Sequence, residues 1–205
     1  MCSTVVCSYV LWFGEVEMKC PECLQKIHDH AEECPHCGMT LERLHPLYHG
    51  IDLAVNDGVH DVAGVLRTET RKRLRAAVNV CEKQFVGLSV AVSFVALRDG
   101  QTVESYGFWL MNHGEFHRGR IWQSELEDGR GRVILVVDVE GKRVGLSYGY
   151  YFDGCIRERE NFDVLSAGHA SLLEGSIVLG CEQILISLKG LLKKAVTRSR
   201  KGAKR

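Results

Sequence analysis

The chain lacks any long apolar run. A membrane-crossing helix needs roughly 18 consecutive apolar residues, and none of its 205 residues sits in such a stretch. The nearest approach, Thr4 to Phe13, has no basic segment before it and no small-residue cleavage site after it. A secretory signal carries both, so none is expected. Met18 opens the pattern Met18-Lys19-Cys20-Pro21, which leaves two readings of residues 1–18: a disordered start, or a non-native one with Met18 as the true beginning. Proline is scarce as well, with Pro21, Pro35 and Pro46 as the three in the chain.

An excess of charge is also missing, because 26 basic residues balance 26 acidic ones. The balance is uneven along the chain. Residues 193–205 hold seven basic side chains and no acidic one, leaving the remainder at a formal −7. A basic end of this kind can touch nucleic acid or an anionic membrane surface. The plainer expectation is a solvated tail over residues 196–205. An acidic remainder disfavours nucleic-acid binding by the body of the protein.

What the chain does have is cysteine. Five of the nine (Cys2, Cys7, Cys81, Cys155 and Cys181) follow no spacing. Cys81 and Cys181 fall on apolar faces of predicted helices, where a free thiol packs as a small hydrophobe. An odd total without a signal segment points to a reducing compartment, and a cytoplasmic location is expected. The other four form Cys20-Pro-Glu-Cys23, a ten-residue spacer, then Cys34-Pro-His-Cys37-Gly38. Each C-x-x-C turn aims two sulfurs and several backbone N–H groups at one point. Two such turns supply four thiolates, which satisfy tetrahedral Zn²⁺ with no open position. Proline fixes φ inside each turn and Gly38 accepts positive φ after the second. Residues 19–39 therefore resemble a zinc ribbon, with structural zinc on Cys20, Cys23, Cys34 and Cys37. A closed site leaves no place for substrate. His28, His30 and His36 lie close by and are read as loop residues rather than ligands.

Residues 40–57 carry His45-Pro46, Gly50 and Asn56-Asp57-Gly58, which reads as linker and turn chemistry. From Leu66 the apolar positions 66, 74, 77, 78, 81 and 85 trace one helical face, with Arg71, Lys72, Arg73 and Arg75 opposite. Leu88 to Leu97 reads as a buried strand. Val103 to His117 reads as one helix with an aromatic stripe, placing His113 and His117 one turn apart, a spacing that can serve a metal if other ligands converge. Arg132–Val139 and Val144–Gly149 predict a hairpin. Phe162–Glu174 and a last helix capped by Ser176 follow. Alternating helices and strands predict an α/β fold: a three-layer α/β/α sandwich around a mixed sheet, preceded by the small ribbon.

Several segments resemble, in order, those of the TPM domain, named from a thylakoid lumen protein, a photosystem II accessory protein and a nematode receptor modulator. They are Val59-His-Asp61-Val-Ala-Gly-Val-Leu66 before an amphipathic helix, Tyr106-Gly-Phe-Trp109, Asp128-Gly-Arg-Gly131, the apolar strand to Asp138, and Gly149-Tyr-Tyr-Phe-Asp153-Gly154. The resemblance spans about residues 58–195. It implies the sandwich fold, and either an assembly or modulatory role or a divalent-metal-dependent acid phosphatase. Many members are exported or membrane-anchored, and the family usually shows Gly-Tyr-Gly where this chain has Gly149-Tyr150-Tyr151.

Phosphate-ester hydrolysis needs a placed nucleophile or several convergent carboxylates around a metal. Asp61, Asp128, Asp138 and Asp153, with Tyr150, fall near predicted strand ends, where α/β sites form. They are the candidate set for Ca²⁺ or Mg²⁺, or for a partner. Aspartate also serves turns and helix starts. The leading expectation is a non-catalytic interaction or accessory protein acting through an unidentified protein partner. A metal-dependent phosphatase, and nucleic-acid binding through the ribbon and basic tail, are the alternatives.

Overall fold

In the computed structural model, residues 17–28, 31–85, 87–117, 131–149, 152 and 155–202 are described. A two-stranded ribbon, β1 (Glu17–Lys19) and β2 (Lys26–His28), comes first among the described residues. Then come the short α1 (Leu41–Leu44), a 3₁₀ turn (His45–Tyr48), β3 (Ala54–Asn56), β4 (Val59–Asp61) and α2 (Thr68–Glu82). β5 (Ser89–Val95), α3 (Val103–His113), β6 (Glu115–His117), β7 (Arg132–Asp138), β8 (Arg143–Tyr148), α4 (Glu158–Leu173) and α5 (Ile177–Gly202) complete it.

β3 to β8 form one six-stranded mixed sheet in the order β6-β3-β4-β5-β7-β8. β5 and β7 pair in parallel along their full lengths, Ser89↔Arg132 to Val95↔Asp138, and every residue of both is buried. Burial on both faces explains their unbroken apolar runs. Period-two alternation then divides the core. Val90, Val92 and Phe94, with Val133, Leu135 and Val137, face a cluster containing Leu74, Val78 and Cys81 of α2, Val164 of α4 and the apolar face of α5. Ala91, Val95, Ile134 and Val136 face the other way, onto Tyr106, Trp109 and Leu110 of α3, Leu44 of α1 and Tyr48. The architecture is the expected three-layer α/β sandwich with a cysteine-bearing ribbon before it.

Three details differ from the sequence reading. The helix expected over Val103–His117 stops at His113, and Glu115–His117 becomes β6, parallel to β3. Gly114 takes extended φ and ψ of −66° and 138°, and the Glu115 N–H goes to Leu53 O at 2.8 Å, so sheet pairing claims the backbone that another helical turn would have used. The stretch read as linker carries α1, the 3₁₀ turn and β3, with Leu44, Tyr48 and Val55 buried. Its Asn56-Asp57-Gly58 turn closes the β3–β4 hairpin, with φ of 51° at Asp57 and 73° at Gly58, the paired positive values of a type I′ turn. Finally, α5 runs on to Gly202, through much of the expected basic tail.

α3 approaches the sheet closely at Gly107, where an added Cβ would lie 2.1 Å from Ser147 Oγ on β8. Gly107→Ala should therefore destabilise the fold by about 2–3 kcal/mol, the range for overpacking a tight core. Adding Ser147→Gly should recover most of the loss. Urea unfolding of the two single variants and the double variant measures that coupling.

Candidate metal centre

The two knuckles are built alike. In the first, Cys20 N–H donates to Gln25 O and Leu24 N–H to Cys20 O, both at 2.9 Å. In the second, Cys34 N–H donates to Met39 O and Gly38 N–H to Cys34 O, again both at 2.9 Å. The residue after each knuckle is left-handed, with φ of 60° at Leu24 and 68° at Gly38. Glycine satisfies that position in the second knuckle. Leucine holds it in the first, against the usual steric preference.

The repeated turns bring four free thiols together, with all four Sγ atoms within 4.8 Å of one another. Cys20 Sγ lies 3.7 Å from Cys37 Sγ, and Cys23 Sγ lies 3.7 Å from Cys34 Sγ. Four sulfurs each about 2.3 Å from one tetrahedral zinc would be about 3.8 Å apart, so the cross-knuckle spacing already fits the ion. Cys20 and Cys34 are buried, while Cys23 and Cys37 lie nearer solvent.

The electrostatics fit a cation as well. Burial works against ionising Cys34, but N–H groups of Cys37 and His36 aimed at its sulfur, with the neighbouring thiols, outweigh that and bring it down to about 6. Burial and the sulfur neighbours push Cys37 up to about 12. Burial likewise raises Cys20, which backbone N–H groups of Cys23 and Glu22 only partly offset. Without a positive charge between them, four thiolates cannot share the site. A divalent metal removes that conflict, displacing protons as it binds.

The aspartate set behaves differently. Asp61 ends β4 and Asp138 ends β7, on either side of the end of β5. Asp61 Oδ1 accepts from Val65 N–H at 3.1 Å, while Oδ2 accepts from Leu66 N–H at 3.0 Å and from Arg71 Nη2 at 3.1 Å. It fastens the loop that leads into α2. Asp138 Oδ1 accepts from Leu97 N–H at 3.2 Å and Gly141 N–H at 3.1 Å, and its Oδ2 takes the Arg143 Nε and Nη2 at 3.0 and 2.8 Å. It ties the end of β5 to the β7–β8 turn. Both carboxylates are engaged within the fold, and among the described residues the four-cysteine cluster is the group placed to hold a metal. Asp128, Tyr150 and Asp153, like Trp122 and His30, lie outside the described residues.

Other sequence candidates are also engaged. His113 Nδ1 donates to Trp109 O at 3.2 Å on α3, whereas His117 stands on β6 beside Glu115, 3.6 Å away. The pair is therefore not one helical turn apart. The basic face of α2 is matched by acids: Arg71 meets Asp61, Lys72 meets Glu69, Arg73 meets Glu182 and Arg75 meets Asp57. Near the end of α5, Arg198 pairs with Glu160 and holds that carboxyl down to about 2.

One buried group escaped the sequence reading. His60 Nε2 donates to Asp52 O at 2.7 Å, which leaves Nδ1 to accept from Ser93 Oγ at 2.9 Å. Tyr106 OH joins them, 3.1 Å from Ser93 Oγ. Burial lowers the His60 pKa and keeps the ring neutral. The network satisfies every polar atom it buries beneath α3 and joins α3 to β4 and β5. Only the place of His60 in Val59-His60-Asp61 hinted at it.

No protein-family model matches the chain, and no curated protein does. Among solved structures, it is similar to the solution NMR structure of the N-terminal domain of cg2496 protein from Corynebacterium glutamicum. The TM-score is 0.49 at 16% identity, over 65% of this chain and 78% of that one. Among the described residues, no helix is long and apolar enough to cross a membrane.

The left-handed positions after the knuckles yield a prediction of opposite signs. Gly38→Ala forces a Cβ into that conformation, 3.0 Å from Arg43 Nη1, and should lower stability by about 1 kcal/mol. Leu24→Gly removes a comparable strain and should leave stability unchanged or raise it by a few tenths of a kcal/mol. Thermal unfolding with saturating zinc compares the two.

Proposed function

We propose that residues 19–39 hold one structural zinc ion and that the protein is a non-catalytic interaction or accessory protein built on a TPM-like domain over about residues 58–195. The single observation that carries the metal assignment is the pair of cross-knuckle sulfur distances, each 3.7 Å, inside a cluster of four free thiols. Four cysteines complete tetrahedral zinc, so the ion would hold the backbone and leave no position for water or substrate. Thiolate ligation and unpaired cysteines suit a reducing compartment, and we place the protein in the cytoplasm on that ground.

The accessory reading is supported by what the candidate catalytic groups do. Asp61 and Asp138 stitch loops to strand ends, and the paired face of α2 offers no open basic patch to a phosphate backbone. The order of segments from Val59 to Gly154 supports the TPM assignment. Membership of that family would bring assembly or modulatory partners rather than a fixed reaction.

Zinc binding should be stoichiometric, one ion per chain, by metal analysis of protein purified without added metal. Cys34→Ser should reduce zinc affinity by at least about tenfold, since the metal supplies most of the folding free energy of so small a module. Recovery of no metal from chains with four titratable thiols would end the zinc reading.

The pH dependence follows from the thiols. Cys20 is raised and Cys37 stands at about 12 in the metal-free site, so both are protonated at pH 7. Binding at pH 7 should release at least these two protons, and zinc affinity should fall as pH falls. Calorimetric titration in buffers of different ionisation enthalpy counts the protons. The accessory role has its own test: turnover of phosphate esters that requires Mg²⁺ or Ca²⁺ and vanishes in Asp61→Asn would replace it with the phosphatase.

A further inference from the structure

The metal module does not stand apart from the sandwich. Cys20, Ile27, Cys34 and Met39 belong to the same continuous buried cluster as Leu44, Tyr48, Tyr106, Trp109 and Leu110, and Cys23 packs against it. The path can be followed residue by residue. Met39 N–H lies at the Cys37 sulfur and Met39 O takes the Cys34 N–H, so the residue leaving the second knuckle is held by that knuckle. Thr40, next in the chain, caps α1, accepting the Arg43 N–H on its hydroxyl at 3.2 Å. Arg43 in turn donates through Nη1 to Gly38 O, closing α1 back onto the knuckle. Leu44 is buried at the end of α1.

From there the contacts become aromatic. Tyr48 lies with its ring centroid 5.1 Å from Trp109 and 5.4 Å from Tyr106, and its hydroxyl is 2.6 Å from Ser105 Oγ. Trp109, 1% exposed, is among the largest fully buried side chains of the molecule. The opposite layer meets the module only at its rim among the described residues, where Lys19 Nζ pairs with Glu158 Oε2 at 3.0 Å at the exposed start of α4. The cluster of α2, α4 and α5 lies across the sheet and contains no residue of the module.

We infer that the zinc site is a latch on one layer of the sandwich: metal bound by the four cysteines holds α1, the 3₁₀ turn and α3 in order, while the packing of α2, α4 and α5, which shares no buried residue with the module, does not depend on it. The inference rests on the zinc reading and goes beyond it. A separate zinc-bearing bead tethered to a finished domain would leave α3 untouched when the metal leaves. Here the segment that joins metal to sandwich is itself part of the core beneath α3. Loss of the ion releases Met39 and α1, and with them the cover over Tyr48 and Trp109. The latch gives metal availability control over one face of the protein.

The test uses the full chain in a Trp12→Phe, Trp122→Phe background, leaving Trp109 as the single tryptophan. Zinc content is measured first, then the metal is removed with a chelator and hydrogen exchange is followed by mass spectrometry. Exchange should accelerate at least about tenfold across residues 41–48 and α3, with Trp109 emission moving to the red, while α5 stays within about twofold. Readdition of zinc should reverse both changes. Ile27→Asp keeps all four ligands yet cuts the contact between β2 and the shared core. It should retain one zinc per chain and still speed exchange in α3.

Zinc bound at one per chain, with α3 exchange and Trp109 emission unchanged on its removal, would overturn the latch and leave the zinc assignment standing. Equal acceleration in α3 and α5 would overturn the one-layer claim. A chain that binds no zinc would remove both.

Discussion

Everything in this molecule is arranged around one pairing, the seven-residue parallel register of β5 with β7. Two strands buried on both faces must be covered on both faces, and covering them demands helices from two directions. Alternation along the strands decides which side chains meet which layer. Val92 and Leu135 face α5 and its neighbours, while Ala91 and Ile134 face α3. The missing side chain of Gly107 lets α3 sit close to the sheet at Ser147 of β8 and Val136 of β7. Polar groups buried by that approach are matched internally by His60, Ser93 and Tyr106.

The layer on the α3 side is the shorter of the two. Among the described residues, α1, the 3₁₀ turn and the cysteine module add buried side chains to the core that α3 forms on this face. A module of about twenty residues cannot bury enough apolar surface to fold by itself, and a metal is the usual remedy at that size. The four thiols thus serve two scales at once. Locally they close two tight turns. Through Met39, Leu44 and Tyr48 they join the buried core on the α3 side of the sheet.

Much of this was legible in the sequence because the signals were local or strongly periodic. The C-x-x-C pairs named all four sulfurs, since each turn is set by residues within five positions of its first cysteine. The apolar faces of α2 and α5 and the continuous run of β5 are patterns that only burial on one or two sides explains. What was misread depended on distant partners. Residues 115–117 follow a helix in sequence, but β3 lies parallel beside them, with the Glu115 N–H donating to Leu53 O at one end and the Asp57 N–H donating to His117 O at the other. The stretch before β4 looked like a linker because turn residues dominate it. Leu44, Tyr48 and Val55 are too widely spaced there to announce a buried surface. Asp61 and Asp138 stood where α/β sites form, and only geometry reveals that Arg71, Arg143 and backbone N–H groups already occupy their oxygens. Leu24 gave no sign of its left-handed backbone, because leucine seldom adopts it.

A closed site would hold zinc on four sulfurs alone. X-ray absorption at the zinc edge of the full chain, as purified, reads that ligand set. The spectrum should show a single shell of four sulfurs at about 2.3 Å and no lighter ligand. A shell containing nitrogen or oxygen, from a histidine or a bound water, would contradict a closed site by leaving the metal an open or exchangeable position.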